Sequence, residues 1–366
     1  MHVSEPVSDS TIRDVLHLTL GGSTVRVTLT NQFGAAPLHV GSASIAVSAG
    51  SDRLQPGSSH PLTFNHQTSV TIPAGTYVLS DPVPMAATAF SNLAVSLYLP
   101  QQTVADPTCH QSGMSTSYIA AGNETNSSEL RDPRRLLSWC FLQGVEVRPK
   151  KKSSAAVVTL GDSITDGAHS TVDANHRYPD YLAVRLHANR KTAQLSVLNE
   201  GISGGRVLFE GHGPSALQRF DRDVLAQPGV RYVIYLEGIN DIGQILRPAS
   251  PESTLTADEL IFAAKQLVTR AHQHGVKVFG ATLLPFAPRI LLASSSQSRV
   301  RQVVEQYNEW VRSSRVFDGV VDFDKAVADP QAPQAMLPAY DCGDHVHPND
   351  AGYKAMADAV DLSLFR

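Results

Sequence analysis

The sequence predicts two domains of different class: an antiparallel β-sandwich over residues 1–152, then an α/β domain over residues 153–366 built on a doubly wound, five-stranded parallel sheet. Three observations carry this. At 366 residues the chain is longer than one typical domain of about 150. Near residue 150 the hydrophobic pattern changes from short alternating runs to continuous apolar runs separated by amphipathic helices. Lysine is absent before Lys150, and residues 147–154, with a proline and three consecutive lysines, read as a linker.

The elements follow in order. Residues 16–20, 24–29, 43–47, 69–72 and 93–98 alternate apolar and polar side chains between clusters of Gly, Pro, Asn and Asp, the pattern of half-buried antiparallel strands. Residues 155–160, 195–199, 232–236, 276–281 and 319–323 are apolar runs of strand length, as expected of a parallel sheet covered on both faces. Thr256 and Glu259 form a capping box that opens a helix to about His274, closed by Gly275. A second helix is expected from Ser298 to about Ser313, with Val300, Val303, Val304, Tyr307 and Trp310 on one stripe. A terminal helix carries Tyr353, Met356 and Val360, with Asn349 or Asp350 as its cap.

Composition excludes several classes of function. Hydrophobic residues make up 42% of the chain, which rules out disorder, and 30 basic residues against 34 acidic ones leave a net charge of -4 without the basic stripe of a nucleic-acid binder. Three cysteines are too few for a disulfide scaffold; a Cys109–Cys140 pair with Cys342 free and three buried thiols are the two readings. No apolar run reaches the length of a membrane span, and the N-terminal residues lack the charged-then-apolar pattern of a signal peptide. The expectation is a secreted or periplasmic protein whose leader is absent from this sequence, with a cytoplasmic one as the alternative.

Ligands of open α/β sheets bind beyond the carboxyl ends of the strands, so the residues that follow the five runs are the candidates for chemistry. After the first run comes Gly161-Asp162-Ser163-Ile164-Thr165, which places a serine hydroxyl at a tight strand-to-helix turn. After the second comes Ile202-Ser203-Gly204-Gly205, and after the third Gly238-Ile239-Asn240-Asp241, offering a bare backbone amide and a side-chain amide. A serine needs a base. Asp344-His345-Val346-His347-Pro348 supplies an imidazole with a carboxylate three residues before it, so that Asp344 can hold one nitrogen of His347 while the other faces the serine. His345 is the rival base, and His345 with His347 also suits two metal ligands, although no third ligand motif accompanies them. Ser163 could instead cap the helix it opens, and Asp166 and Asp241 read as scaffold hydrogen-bonders.

Together these four blocks resemble those of the SGNH (GDSL-type) hydrolases, over residues from about 155 to 366. The first half, notably residues 21–34, is similar to the β-rich domain that precedes the hydrolase in one bacterial subgroup. The resemblance implies a flavodoxin-like sheet and a serine carboxylester hydrolase working through an acyl-enzyme. It implies that Ser163 is the nucleophile, that Asp344 and His347 complete a triad, and that the amides of Ser163 and Gly204 with the Asn240 side chain form an oxyanion hole. Gly204 rather than Gly205 rests on the family register alone. Neither cofactor nor metal is implied. The expected substrates are short-chain or carbohydrate-linked acetyl or aromatic esters, with a broad-range lipase or arylesterase as alternative. The first domain is then accessory, shaping the substrate crevice. A reading from another class is a carbohydrate-binding protein with a vestigial hydrolase fold, against which stand the intact blocks and a first domain with Trp139 as its one tryptophan.

Overall fold

The computed structural model describes residues 7–104, 106–247, 249–286 and 294–366. Residues 1–6, part of the segment read above for a leader, lie outside them. The chain divides into two compact units, Met1–Lys152 and Ser153–Arg366.

Among its described residues the first unit is all β. Its larger sheet runs in the order Arg134–Leu136, Ser117–Ala121, Ser10–His17, Asn92–Leu99, Ser42–Gly50, Arg53–Leu54, with neighbours antiparallel. A smaller antiparallel sheet pairs Leu142–Val147, Val25–Thr30 and Tyr77–Leu79. Ile12, Leu16, Ile45, Val95 and Leu97 from the first sheet and Val25, Val27, Leu29 and Leu142 from the second share one apolar core, which makes the unit a sandwich. Cys109 and Cys140 sit opposite each other on paired strands and form a disulfide, and Cys342 is free.

The strand expected at residues 16–20 lies earlier, at Ser10–His17. Its alternation is hidden because both faces are buried. Ile12 and Leu16 enter the core. On the other face Thr11 donates to the Gly122 carbonyl at 2.7 Å, and the buried Arg13 donates to Ser96 Oγ and the Ser127 carbonyl at 2.8 Å each. A fully buried arginine satisfied by carbonyls looks, in a sequence, like a solvent-facing residue.

Asp14 lies between Ile12 and Leu16 on the core face, and it is fully buried with no hydrogen-bond partner for either carboxylate oxygen among the described residues. Burial raises its pKa from 3.8 to about 7, with the neighbouring Ser117 hydroxyl pulling the other way. Because the folded value lies above the unfolded one, Asp14 costs the sandwich nothing below about pH 4 and destabilises it progressively up to about pH 7. A shift of that size corresponds to about 4 kcal/mol. Asp14→Asn should therefore unfold at a temperature that rises above wild type as the pH climbs from 4 to 8. Parallel pH profiles for the two proteins would refute the burial argument.

The second unit contains one five-stranded parallel sheet. In chain order its strands are Ala155–Gly161, Leu195–Gly201, Val230–Leu236, Lys277–Ala281 and Gly319–Val321, arranged in space as second, first, third, fourth, fifth. This is the flavodoxin-like order, whose switch point lies between the first and third strands. The capping box at Thr256 and Glu259 opens the helix Ala257–Gln273, whose buried stripe includes Leu260, Ala264, Leu267 and Ala271. The helix expected from Ser298 begins four residues earlier, as Ser294–Ser313. Asn349 rather than Asp350 caps the terminal helix Asp350–Ala359, accepting from the amides of Ala351 and Gly352. No helix among the described residues is long and apolar enough to cross a membrane.

Candidate active site

The candidate site gathers at the carboxyl ends of the first three strands. Gly161 ends the first strand where an added Cβ would lie 2.3 Å from the Leu236 carbonyl oxygen, so the turn needs glycine. Asp162 then caps the short helix Ser163–Asp166, its side chain accepting from the Ile164 amide at 2.9 Å. The cap is therefore Asp162, which leaves the Ser163 hydroxyl for another partner. Ser163 Oγ lies 2.7 Å from His347 Nε2.

On its other side His347 presents Nδ1 to Asp344 Oδ2 at 2.6 Å. Asp344 Oδ1 accepts from the amides of Val346 and His347 at 2.8 Å each. Burial works to raise the Asp344 pKa, but the His347 ring and these two amides outweigh it and hold the carboxyl well below the usual range. It stays ionised wherever His347 could act as a base. His345, the rival, turns to Asp341, with Nδ1 2.5 Å from Oδ2. The loop is braced by Asn349, whose side-chain amide donates to the carbonyls of Ala339 and Asp341, and by the Cys342 amide donating to the His347 carbonyl.

After the second strand, Ser203 donates through its amide and its hydroxyl to Asp166 Oδ2, at 3.1 and 2.6 Å. Gly204 follows at φ +76°, with the His212 ring 2.8 Å from where a Cβ would stand. The Gly205 amide is spent on the Ile202 carbonyl, whereas among the described residues neither the Gly204 amide nor the Ser163 amide donates a hydrogen bond. After the third strand, Asn240 Nδ2 donates to the Gly205 carbonyl at 2.9 Å, and its second amide hydrogen has no partner among the described residues. Asp241 accepts from the amides of Val207 and Leu208 at 2.8 and 3.0 Å, and burial raises its pKa to about 6 against their pull. Asp166 and Asp241 thus hold the Gly204 loop from its two sides, the scaffold role expected of them.

Sequence reasoning missed Arg219. Fully buried, it donates to the Gly161 carbonyl at 2.8 Å and the Glu200 carbonyl at 2.7 Å, and it pairs with Glu237 at 3.1 Å and Asp223 at 3.3 Å. One guanidinium thereby ties together the ends of the three strands that precede Ser163, Gly204 and Asn240. The available signal was a pair of glutamates, Glu200 and Glu237, at strand ends where a buried charge needs a partner. His169 was also missed. Its ring lies 5.2 Å from that of His347, and its Nε2 is 3.7 Å from Asp344 Oδ2.

A parallel α/β sheet with a serine, a histidine and an aspartate hydrogen-bonded in series at its switch point defines the class of α/β hydrolytic folds that work without a Gly-x-Ser-x-Gly elbow. The profile of the GDSL-like Lipase/Acylhydrolase family matches residues 159–355, and the chain belongs to that family. No curated protein matches the chain. Among solved structures it is similar to LAE5, an alpha/beta hydrolase enzyme from the metagenome of Lake Arreo, at 24% identity over 56% of this chain and 94% of that one, with a TM-score of 0.44. It is also similar to an acetyl-xylooligosaccharide esterase of Geobacillus stearothermophilus (24%, 57% and 94%, TM-score 0.42) and to a GDSL-like lipase of Bacteroides thetaiotaomicron (20%, 60% and 92%, TM-score 0.41). Likeness at this level says nothing about substrate.

Proposed function

We propose that the protein is a serine carboxylester hydrolase with Ser163 as nucleophile, His347 as general base and acid, and Asp344 as the group that orients His347. The observation that carries this is the unbroken chain from Ser163 Oγ through His347 to Asp344, with spacings of 2.7 and 2.6 Å. Ser163 Oγ attacks the ester carbonyl carbon while its proton passes to Nε2. The carbonyl oxygen becomes an oxyanion, which the unengaged amides of Ser163 and Gly204 and the second hydrogen of the Asn240 amide are suited to receive. His347 returns the proton to the leaving alcohol, and an acyl group remains on Ser163. Water activated by the same nitrogen then releases the acid.

The substrates we favour are short-chain or carbohydrate-linked acetyl and aromatic esters, with residues 1–152 as an accessory domain, since every residue given a chemical role lies in residues 153–366. The Cys109–Cys140 disulfide supports a secreted or periplasmic setting, because such bonds persist in oxidising compartments. Finding more than one reactive thiol in the unfolded, unreduced protein would overturn that placement. The substrate is tested by comparing kcat/KM on acetylated xylan, feruloylated sugars and p-nitrophenyl esters of increasing chain length. The expected optimum lies at acetyl or aromatic acyl groups; a rate that climbs steadily with chain length would make the protein a lipase instead. Glycan binding with no turnover of any ester would favour the vestigial reading.

A further inference from the structure

We propose that His169, Asp344 and His347 form a zinc-binding site whose occupation switches the hydrolase off. One donor atom from each of the three residues lies within 4.8 Å of the others. His169 Nε2 and Asp344 Oδ2 are 3.7 Å apart, close to the separation of about 3.3 Å that two ligands reach around a tetrahedral zinc with bonds of about 2.0–2.1 Å, whereas Asp344 Oδ2 and His347 Nδ1, hydrogen-bonded at 2.6 Å, must part to admit the ion. Two imidazoles and a carboxylate match the donor preference of zinc, and three protein ligands leave a fourth position for water. The group is open to solution, with the side chains of His169, Asp344 and His347 54%, 39% and 19% exposed.

His169 is built into this position. Its φ is +65°, in the left-handed region. The turn that carries it is braced on both sides: the Gly167 amide donates to the Ser163 carbonyl at 2.9 Å, and Tyr353 Oη donates to the Ala168 carbonyl at 2.7 Å. Two residues further on, Thr171 donates to Asp350 through its amide at 2.8 Å and its hydroxyl at 2.7 Å. The sequence singled out His345 with His347 as the metal-like pair, yet His345 is engaged with Asp341 and the second imidazole near His347 comes from 176 residues upstream of His345, at His169.

Inhibition follows from the two nitrogens of His347 and rests on its role as base. If zinc takes the Nδ1 lone pair, the proton of that nitrogen must move to Nε2, which then donates and cannot accept from Ser163. If zinc takes Nε2, the accepting lone pair is used directly. Either way Asp344 is drawn to the metal and no longer orients the ring.

The test titrates zinc chloride into the full chain by calorimetry and follows ester turnover over the same concentrations, for wild type and His169→Asn. Asparagine tolerates the left-handed backbone and is a poor zinc ligand. Wild type should bind one ion and lose turnover with the same midpoint, recover on adding EDTA, and ignore magnesium chloride, because magnesium prefers oxygen donors. His169→Asn should bind zinc at least about tenfold more weakly, since removing a ligand should cost no less than the roughly 10- to 100-fold lost when a residue supporting a ligand is changed. Equal zinc affinity in the two proteins, or full turnover with zinc bound, would overturn the site. Absence of turnover before zinc is added would instead overturn the roles of Ser163 and His347, and the calorimetric comparison would still decide the site.

Discussion

Ser163→Ala should lower ester turnover by about 10⁴- to 10⁶-fold while leaving thermal unfolding nearly unchanged. The two halves of that expectation come from different atoms. Activity is lost because the hydroxyl bonded to His347 Nε2 is removed, so no acyl-enzyme can form. Stability is kept because Asp162, and not Ser163, caps the helix, and because alanine is a good first helical residue. A second variant separates this from nonspecific damage. His347→Ala alone and Ser163→Ala/His347→Ala together should both lie near the Ser163→Ala rate, since members of a relay act as a unit. Labelling by a fluorophosphonate gives the direct readout: wild type reacts and Ser163→Ala does not. Turnover within tenfold of wild type in Ser163→Ala would remove Ser163 from the mechanism.

Asn240→Ala should reduce kcat by about 10²- to 10³-fold with KM changed little. The Asn240 amide has two hydrogens; one holds the Gly205 carbonyl at 2.9 Å, and in the proposed oxyanion role the other would meet the charge that develops on the ester oxygen. Its contribution belongs to the transition state, so it is read in kcat rather than KM. A purely structural role, holding the Gly204 loop through Gly205, would raise KM and lower the unfolding temperature together. The loop has independent support in Asp166 and Asp241, which makes that second outcome the unfavourable one for the oxyanion assignment. A kcat within about threefold of wild type would exclude Asn240 as a donor.

The proposed site residues Ser163, Asn240, Asp344 and His347 could be nominated from the sequence because each lies in a short block whose residue types are constrained by chemistry. The tight turn after Gly161 needs glycine for space, and the relay needs a carboxylate near its imidazole in sequence because one loop holds both. Choosing between Gly204 and Gly205 was beyond the residues themselves. The backbone adds that the Gly205 amide closes a turn on Ile202 while the Gly204 amide, at positive φ, is unengaged among the described residues, which supports proposing Gly204. The choice of Asn349 over Asp350 as helix cap was settled by where Asp350 goes, to Thr171 and to His176 at 2.7 Å.

What the amino-acid sequence determined by itself is the local and the periodic: five apolar runs, the amphipathic helices between them, the alternation of the sandwich strands, and the blocks of polar residues at strand ends. Side-chain period and turn chemistry act over a few residues, so they are written where they act. What only the tertiary structure decided are the groups that meet from distant parts of the chain. Arg219 gathers three strand ends, Asp14 is stranded in an apolar core, and His169 comes to rest beside His347. Each is an ordinary polar residue in its own neighbourhood. Burial and long-range approach, which no local pattern encodes, turn one into a clamp, one into a pH-dependent cost and one into a prospective metal ligand.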